Sequence, residues 1–192
     1  MARLKLSDAE HGRITAAADG VRARTSARFE TLIVPVSDRY ALYPVAFGAF
    51  AALAAGGIAV LAMPALSSRD LFAGEAILFA VLSLLLEWLP LKLLLVPKRH
   101  KHERARQFAH RAFAARILAA HERRPGMVLF LSLGERAIEL VTDDELDRRV
   151  GQERWNAIVA LFTAAAKAGR VTDGLAAAIE ACGGELAKHF PK

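Results

Sequence analysis

The sequence predicts an α/β domain interrupted by a pair of membrane-spanning helices. Three observations carry that class. Residues 42–66 contain no charged side chain, and a run of that length can cross a bilayer as a helix, which needs about 20 residues. A second apolar run, 71–96, follows the polar turn Ser67-Ser68-Arg69-Asp70 and is broken by Glu75, Glu87 and Lys92. The flanks read helix–strand before this pair and helix–strand–strand–helix–helix after it. Two spans return the chain to its starting side, so both flanks belong on one side of the membrane. Residues 1–41 supply one helix and one strand, too little to stand alone. The expected organisation is one α/β domain in two pieces, 1–41 and 98–192, separated by a transmembrane hairpin, 42–97. The first strand is expected to join the sheet of the second piece.

The elements follow in order. Ser7-x-x-Glu10 is a capping box, and Ile14, Ala17, Ala18 and Val21 recur at helical spacing to about Ala23. After Thr25-Ser26, residues 29–36 are rich in β-branched side chains and predict a strand whose pairing Pro35 limits. Tyr40 and Tyr43 stand where an interfacial aromatic belt belongs. In the first span Gly48, Ala52 and Gly56 form a small-residue stripe suited to close packing, with Ala76 and Ala80 as the matching surface on the second. Glu87, Trp88, Pro90 and Lys92 read as the approach to the interface at the end of the second span.

Beyond the hairpin, Ala105, Phe108, Ala109, Ala112, Phe113, Ala115 and Ile117 give an apolar face to a helix over 103–120, ended by residues 121–126. Residues 127–133 form a continuous apolar run, the pattern of a central strand covered on both faces. Gly134-Glu135-Arg136 is a tight turn, and 137–141 the returning strand of a hairpin. Thr142 or Asp143 caps a short helix. Residues 152–168 predict a helix burying Trp155, Ile158, Val159, Leu161 and Phe162, stopped by Gly169. Thr172 is expected to cap a last helix, 173–181, with Leu175 and Ile179 inward. Gly183-Gly184 should break it before a tail packed by Leu186 and Phe190.

Charge narrows the function classes. The chain has a formal net charge of +6. The excess sits in KRHKHERAR, residues 98–106, directly after the second apolar run, as expected of a cytoplasmic membrane flank. A nucleic-acid face would spread over the folded domain, so nucleic acid is not expected as a partner. No apolar leader precedes the first helix, so no cleaved signal peptide is expected. Cys182 is the only cysteine, which excludes an intramolecular disulfide and a thiolate metal cluster.

Few residues suggest chemistry. Asp143, Asp144, Glu145 and Asp147 are the only carboxylate cluster. They read either as acids complementing a helix N-terminus or as ligands of a hard cation such as Ca²⁺ or Mg²⁺. His100 and His102 alternate within the basic flank, and His110 and His121 are not an i, i+4 pair. No phosphate-binding or nucleophile-elbow motif occurs. Cys182 reads as a buried thiol and Trp155 as core.

The pattern resembles the TPM domain family, in the form of bacterial membrane proteins whose domain is interrupted by a transmembrane hairpin. The resemblance rests on Thr25-Ser26, on Ser37-Asp38-Arg39-Tyr40-Ala41-Leu42-Tyr43-Pro44 at the hairpin entry, and on Val96-Pro97 with Arg104-Ala105 at its exit. It extends through residues 126–136, Asp143, Trp155, Asp173-Gly174-Leu175, Ala178-Ile179 and Phe190-Pro191, so it covers nearly the whole chain. It implies a three-layer-like α/β sandwich around a small mixed sheet. Phosphatase activity and divalent-metal binding have been attributed to some members, and Asp143 falls at a family position; the acid cluster makes Asp143, Asp144 and Asp147 the candidate metal ligands. The family's Thr-Ser-Gly-Glu turn reads Thr25-Ser26-Ala27-Arg28 here, without its glycine and carboxylate. An Asp-x-Gly pattern reads Asp143-Asp144-Glu145. The expectation is an inner-membrane protein with two spans and both termini cytoplasmic. Its domain serves as an interaction or scaffold module for membrane or envelope proteins; the alternative is a metal-dependent phosphatase-like enzyme. No catalytic residue is assigned.

Overall fold

The computed structural model of the chain describes residues 6–119 and 124–192, apart from the side chains of Leu89 and Pro90. The expected helix end at residues 120–123 lies outside the described residues. The chain divides into two compact units, Asp38–His100 and the remainder.

The larger unit is built on a three-stranded mixed sheet of β1 (Arg28–Val34), β2 (Gly126–Ser132) and β3 (Ala137–Thr142), in the order β1-β2-β3. β1 runs parallel to β2 from Arg28 opposite Gly126 to Val34 opposite Ser132. β3 returns antiparallel, with Phe130 opposite Glu139. The first strand thus joins the sheet across the intervening hairpin segment. Every residue of β2 is buried, as its unbroken apolar run requires of a strand covered on both faces.

Side-chain alternation sorts the core into two layers. Phe29, Met127, Leu129, Leu131 and Ile138 pack with α1 (Asp8–Arg24), α7 (Gln152–Lys167) and α8 (Val171–His189). Val128, Phe130, Ala137 and Val141 pack with Ala105, Ala109 and Phe113 of α5 (Lys98–Phe113) and with Ile117. α5 ends in one π-helical turn, Ala114–Leu118, rather than continuing as a regular helix. The capping box of α1 forms: the Ser7 hydroxyl accepts from Glu10 N–H, and the Glu10 carboxylate accepts from Ser7 N–H at 2.8 Å.

Three expectations about the last helices are corrected. Leu161 is 48% exposed instead of buried. Thr172 is not a cap: α8 starts at Val171, and the Thr172 hydroxyl donates to Glu10 of α1 at 2.9 Å. Gly183-Gly184 does not break the helix, which runs on to His189. A Cβ at Gly183 would stand 2.5 Å from Val21 Cγ2, so this glycine lets α1 and α8 approach. Tertiary packing there overrides the roughly 1 kcal/mol propensity cost of a mid-helix glycine.

The smaller unit holds α2 (Leu42–Ala62), α3 (Ser68–Leu86) and the short α4 (Leu89–Leu95). Among the described residues α2 alone is long and apolar enough to cross a membrane, with a mean hydropathy of 2.2 over its best window. Its buried residues are Pro44, Gly48, Ala52 and Gly56, the expected small-residue stripe with one turn added. The partner surface on α3 differs from expectation. Ala76 and Ala80 are exposed; Gly48 instead lies against Ser83 and Phe79, and Gly56 against Glu75. Gly48 near Ser83 and Gly56 near Glu75 make the pair antiparallel. The second apolar run is not one helix: α3 stops before Glu87, and Trp88 is extended before α4 begins, which places Pro90 in the first turn, where a missing N–H costs least.

Candidate functional site

Asp143 sits between β3 and α6 (Asp144–Val150). Its Oδ1 accepts from Leu146 N–H at 2.9 Å, capping α6. Its Oδ2 accepts from Gly126 N–H at 2.6 Å, and Gly126 C=O accepts from Asp143 N–H at 3.1 Å. One carboxylate therefore ties the start of the central strand to the start of a helix. Asp144 is exposed, Glu145 pairs with Arg149 at 3.0 Å, and Asp147 accepts from the Thr142 hydroxyl. Among the described residues no group of three or more His, Cys, Asp or Glu side chains comes together to hold a metal ion. A Ca²⁺ or Mg²⁺ site needs several oxygens converging on one point. Asp143 holds a backbone N–H on each oxygen, Asp144 is exposed and Asp147 is bonded to Thr142, so the three are not drawn together into one such set.

The turn Thr25-Ser26-Ala27-Arg28 also has a structural task. The Thr25 hydroxyl donates to Phe190 C=O at 2.7 Å and accepts from Ala27 N–H at 3.1 Å. Ser26 N–H donates to the same carbonyl at 2.9 Å, and Thr25 bridges to Pro191. Two stretches from opposite ends of the sequence thus clasp each other. A cavity of about 770 Å³ beside the turn is lined by Arg22, Arg28, Arg124 and Lys192. Glu30 lies 3.7 Å from each of Arg22 and Arg28 and supplies counter-charge there.

A second groove, of about 630 Å³, opens between α5 and β3. His102, Arg106 and His110 line it from one face of α5, at i, i+4 and i+8; Glu139, Thr142 and Asp147 face them. Strand alternation puts Glu139 on the α5 side of the sheet, between buried Ala137 and Val141. Burial pushes the Glu139 carboxyl above its usual range, and Arg106 and His102 beside it partly offset this. Sequence reasoning missed this groove. The signal was present: His102 and His110 share one helical stripe with Arg106, which separate inspection of the 100/102 and 110/121 pairs does not reveal. Cys182 is buried in α8, its thiol pushed up to about 12 by burial; thiolate is the nucleophilic form, so this residue is inert.

The model of the TPM domain matches residues 91–185. The chain carries a TPM domain. The match runs from α4 into α8 and is narrower than the whole-chain resemblance read from the sequence. α1 and β1 lie outside the matched residues, and β1 pairs with β2, which lies inside them. No curated protein and no solved structure in the comparisons matches the chain. Within the TPM domain, the groove residues His102, Arg106, His110 and Glu139 and the acids Asp143, Asp144 and Asp147 all fall inside the matched stretch.

Proposed function

We propose that the chain is an inner-membrane protein in which α2 and the second apolar run form a two-span hairpin. Both termini and the TPM domain lie in the cytoplasm, and the domain is an interaction module for membrane or envelope proteins. The observation that carries this reading is the inverted surface of α2. Its small residues Gly48, Ala52 and Gly56 are buried, while Leu42, Phe50, Leu53, Ile58 and Leu61 are exposed. In water that face would be a liability; in lipid it is the expected one, since membrane helices pack through small residues and turn large apolar ones outward. KRHKHERAR supplies the cytoplasmic orientation signal. Engagement of both Asp143 oxygens by the backbone favours an interaction module over metal chemistry.

Topology reporters fused at Lys192 and after Ser68 test the reading. A cytoplasmic signal at Lys192 with an external signal after Ser68 is expected; an external C-terminus overturns it. The competing reading, a Ca²⁺- or Mg²⁺-dependent phosphatase-like enzyme, draws on the α5–β3 groove, where Arg106, His102 and His110 form a wall suited to an anion. Metal-dependent phosphate release by the full chain, lost on replacing Asp143, would move that reading ahead.

A further inference from the structure

α4 buries Leu93 but also its one charge, and leaves an apolar edge uncovered: Lys92 is 4% exposed, while Leu94 is 80% exposed and Trp88, just before the helix, 63%. The Lys92 ammonium pairs with the Glu87 carboxylate and donates to Arg39 C=O at 3.1 Å. This ties α4 to the segment that leads into α2. The first turn of α5 joins the same place: the His100 ring lies edge-on to Tyr43, 6.1 Å between centroids, and Tyr43 lies edge-on to Tyr40 at 6.3 Å. One end of the helical unit therefore gathers Tyr40, Tyr43 and exposed Trp88, Leu91 and Leu94 next to Arg39, Lys98 and Arg99.

Those three cations are exposed and have no ion pair among the described residues, whereas the one cation on α4 is buried and neutralised. The end thus presents two distinct bands, an apolar one on α4 and a basic one flanking it. Aromatic and aliphatic side chains beside Lys and Arg match the boundary between acyl chains and phosphates. An acidic protein would satisfy the cations but leave Leu94 and Trp88 in water.

We propose that this end is a binding surface for anionic phospholipids, with Trp88, Leu91 and Leu94 entering the acyl boundary and Arg39, Lys98 and Arg99 meeting lipid phosphates. The Glu87–Lys92 pair is a positioning device that keeps the apolar edge of α4 outward. The inference rests on the membrane reading above and adds the headgroup class.

The test is competitive binding of phosphatidylglycerol and phosphatidylcholine, with matched acyl chains, to the full purified chain, read by native mass spectrometry. The unmodified protein should retain phosphatidylglycerol preferentially. Roughly fivefold per cation is the ceiling, since a Lys or Arg at an anionic surface contributes about 1 kcal/mol. The triple variant Arg39→Gln/Lys98→Gln/Arg99→Gln should bind both lipids equally, with its melting temperature in neutral detergent unchanged. Equal retention by the unmodified protein, or an undiminished preference in the variant, overturns the proposal. Alkaline carbonate washing of membranes separates the two levels. A protein that stays in the pellet without lipid preference defeats this inference alone; a protein released by the wash defeats the membrane reading beneath it.

Discussion

Replacing Asp143 separates a structural carboxylate from a metal ligand, and the geometry fixes the sizes. The side chain serves two N–H groups, Leu146 at 2.9 Å and Gly126 at 2.6 Å. Losing a helix cap costs about 0.5–2 kcal/mol. Gly126 is buried, and a buried donor left without its acceptor costs about 1–3 kcal/mol. Asp143→Ala loses both and should destabilise by about 3 kcal/mol. At roughly 2–4 °C per kcal/mol for a chain of this size, that lowers the melting temperature by about 6–12 °C. Asp143→Asn is not silent, although Asn caps as well as Asp. Asn has one acceptor oxygen and an NH₂ group that cannot accept, so it can serve Leu146 or Gly126 but not both. Its cost should be about half that of Ala. The assay is thermal unfolding of the full chain with and without Mg²⁺ or Ca²⁺. Neither substitution should change the response to cations. An Asn variant that melts like the parent but loses a cation-dependent rise in melting temperature would refute this argument, because a ligand that binds only the folded state must stabilise it.

Adjacent glycines in α8 should respond with opposite signs. A Cβ at Gly184 meets nothing within 4 Å, so Gly184→Ala should stabilise by up to about 1 kcal/mol; at Gly183, overpacking against Val21 should cost about 1–3 kcal/mol, and equal melting of the two variants would remove the close-approach argument. Glu139 should carry a pH signature. Its carboxyl is raised by burial, so the folded state holds the proton more tightly than the unfolded state, and stability falls as pH rises from the ordinary value of 4.5 through the raised one. Glu139→Gln should match the parent in acid and exceed it at neutral pH; a variant less stable at neutral pH would mean that Arg106 and His102 outweigh burial.

What could be read from the sequence was local. The capping box at Ser7, the strand runs, the Asp143 cap and the Gly48–Ala52–Gly56 stripe each depend on spacing within one element, and each has its expected place. What could not be read depends on neighbours from elsewhere in the chain. The α5–β3 groove assembles residues from two elements, and Glu139 shows nothing unusual until Phe130 stands opposite it. Gly183 looked like a helix breaker because Val21, which requires it to be small, is far away in sequence. Ala76 and Ala80 match the α2 stripe in size, but Glu75, Phe79 and Ser83 are the residues that lie against its glycines, and spacing within one helix does not show which face turns to a neighbour.

The parallel pairing of β1 with β2 has a consequence for synthesis. Strand partners in a hairpin can meet as soon as both have been made, but β1 must wait while α2 and α3 are made and settle before its partner exists. Loop closure is then governed by a helical pair that folds by its own rules, and long-range strand pairing is the slow, exposed step. Until β2 arrives, Phe29, Leu32 and Ile33 have no sheet to enter. The sheet can therefore close only after the whole intervening helical segment has been made, because every ladder partner of β1 lies in β2.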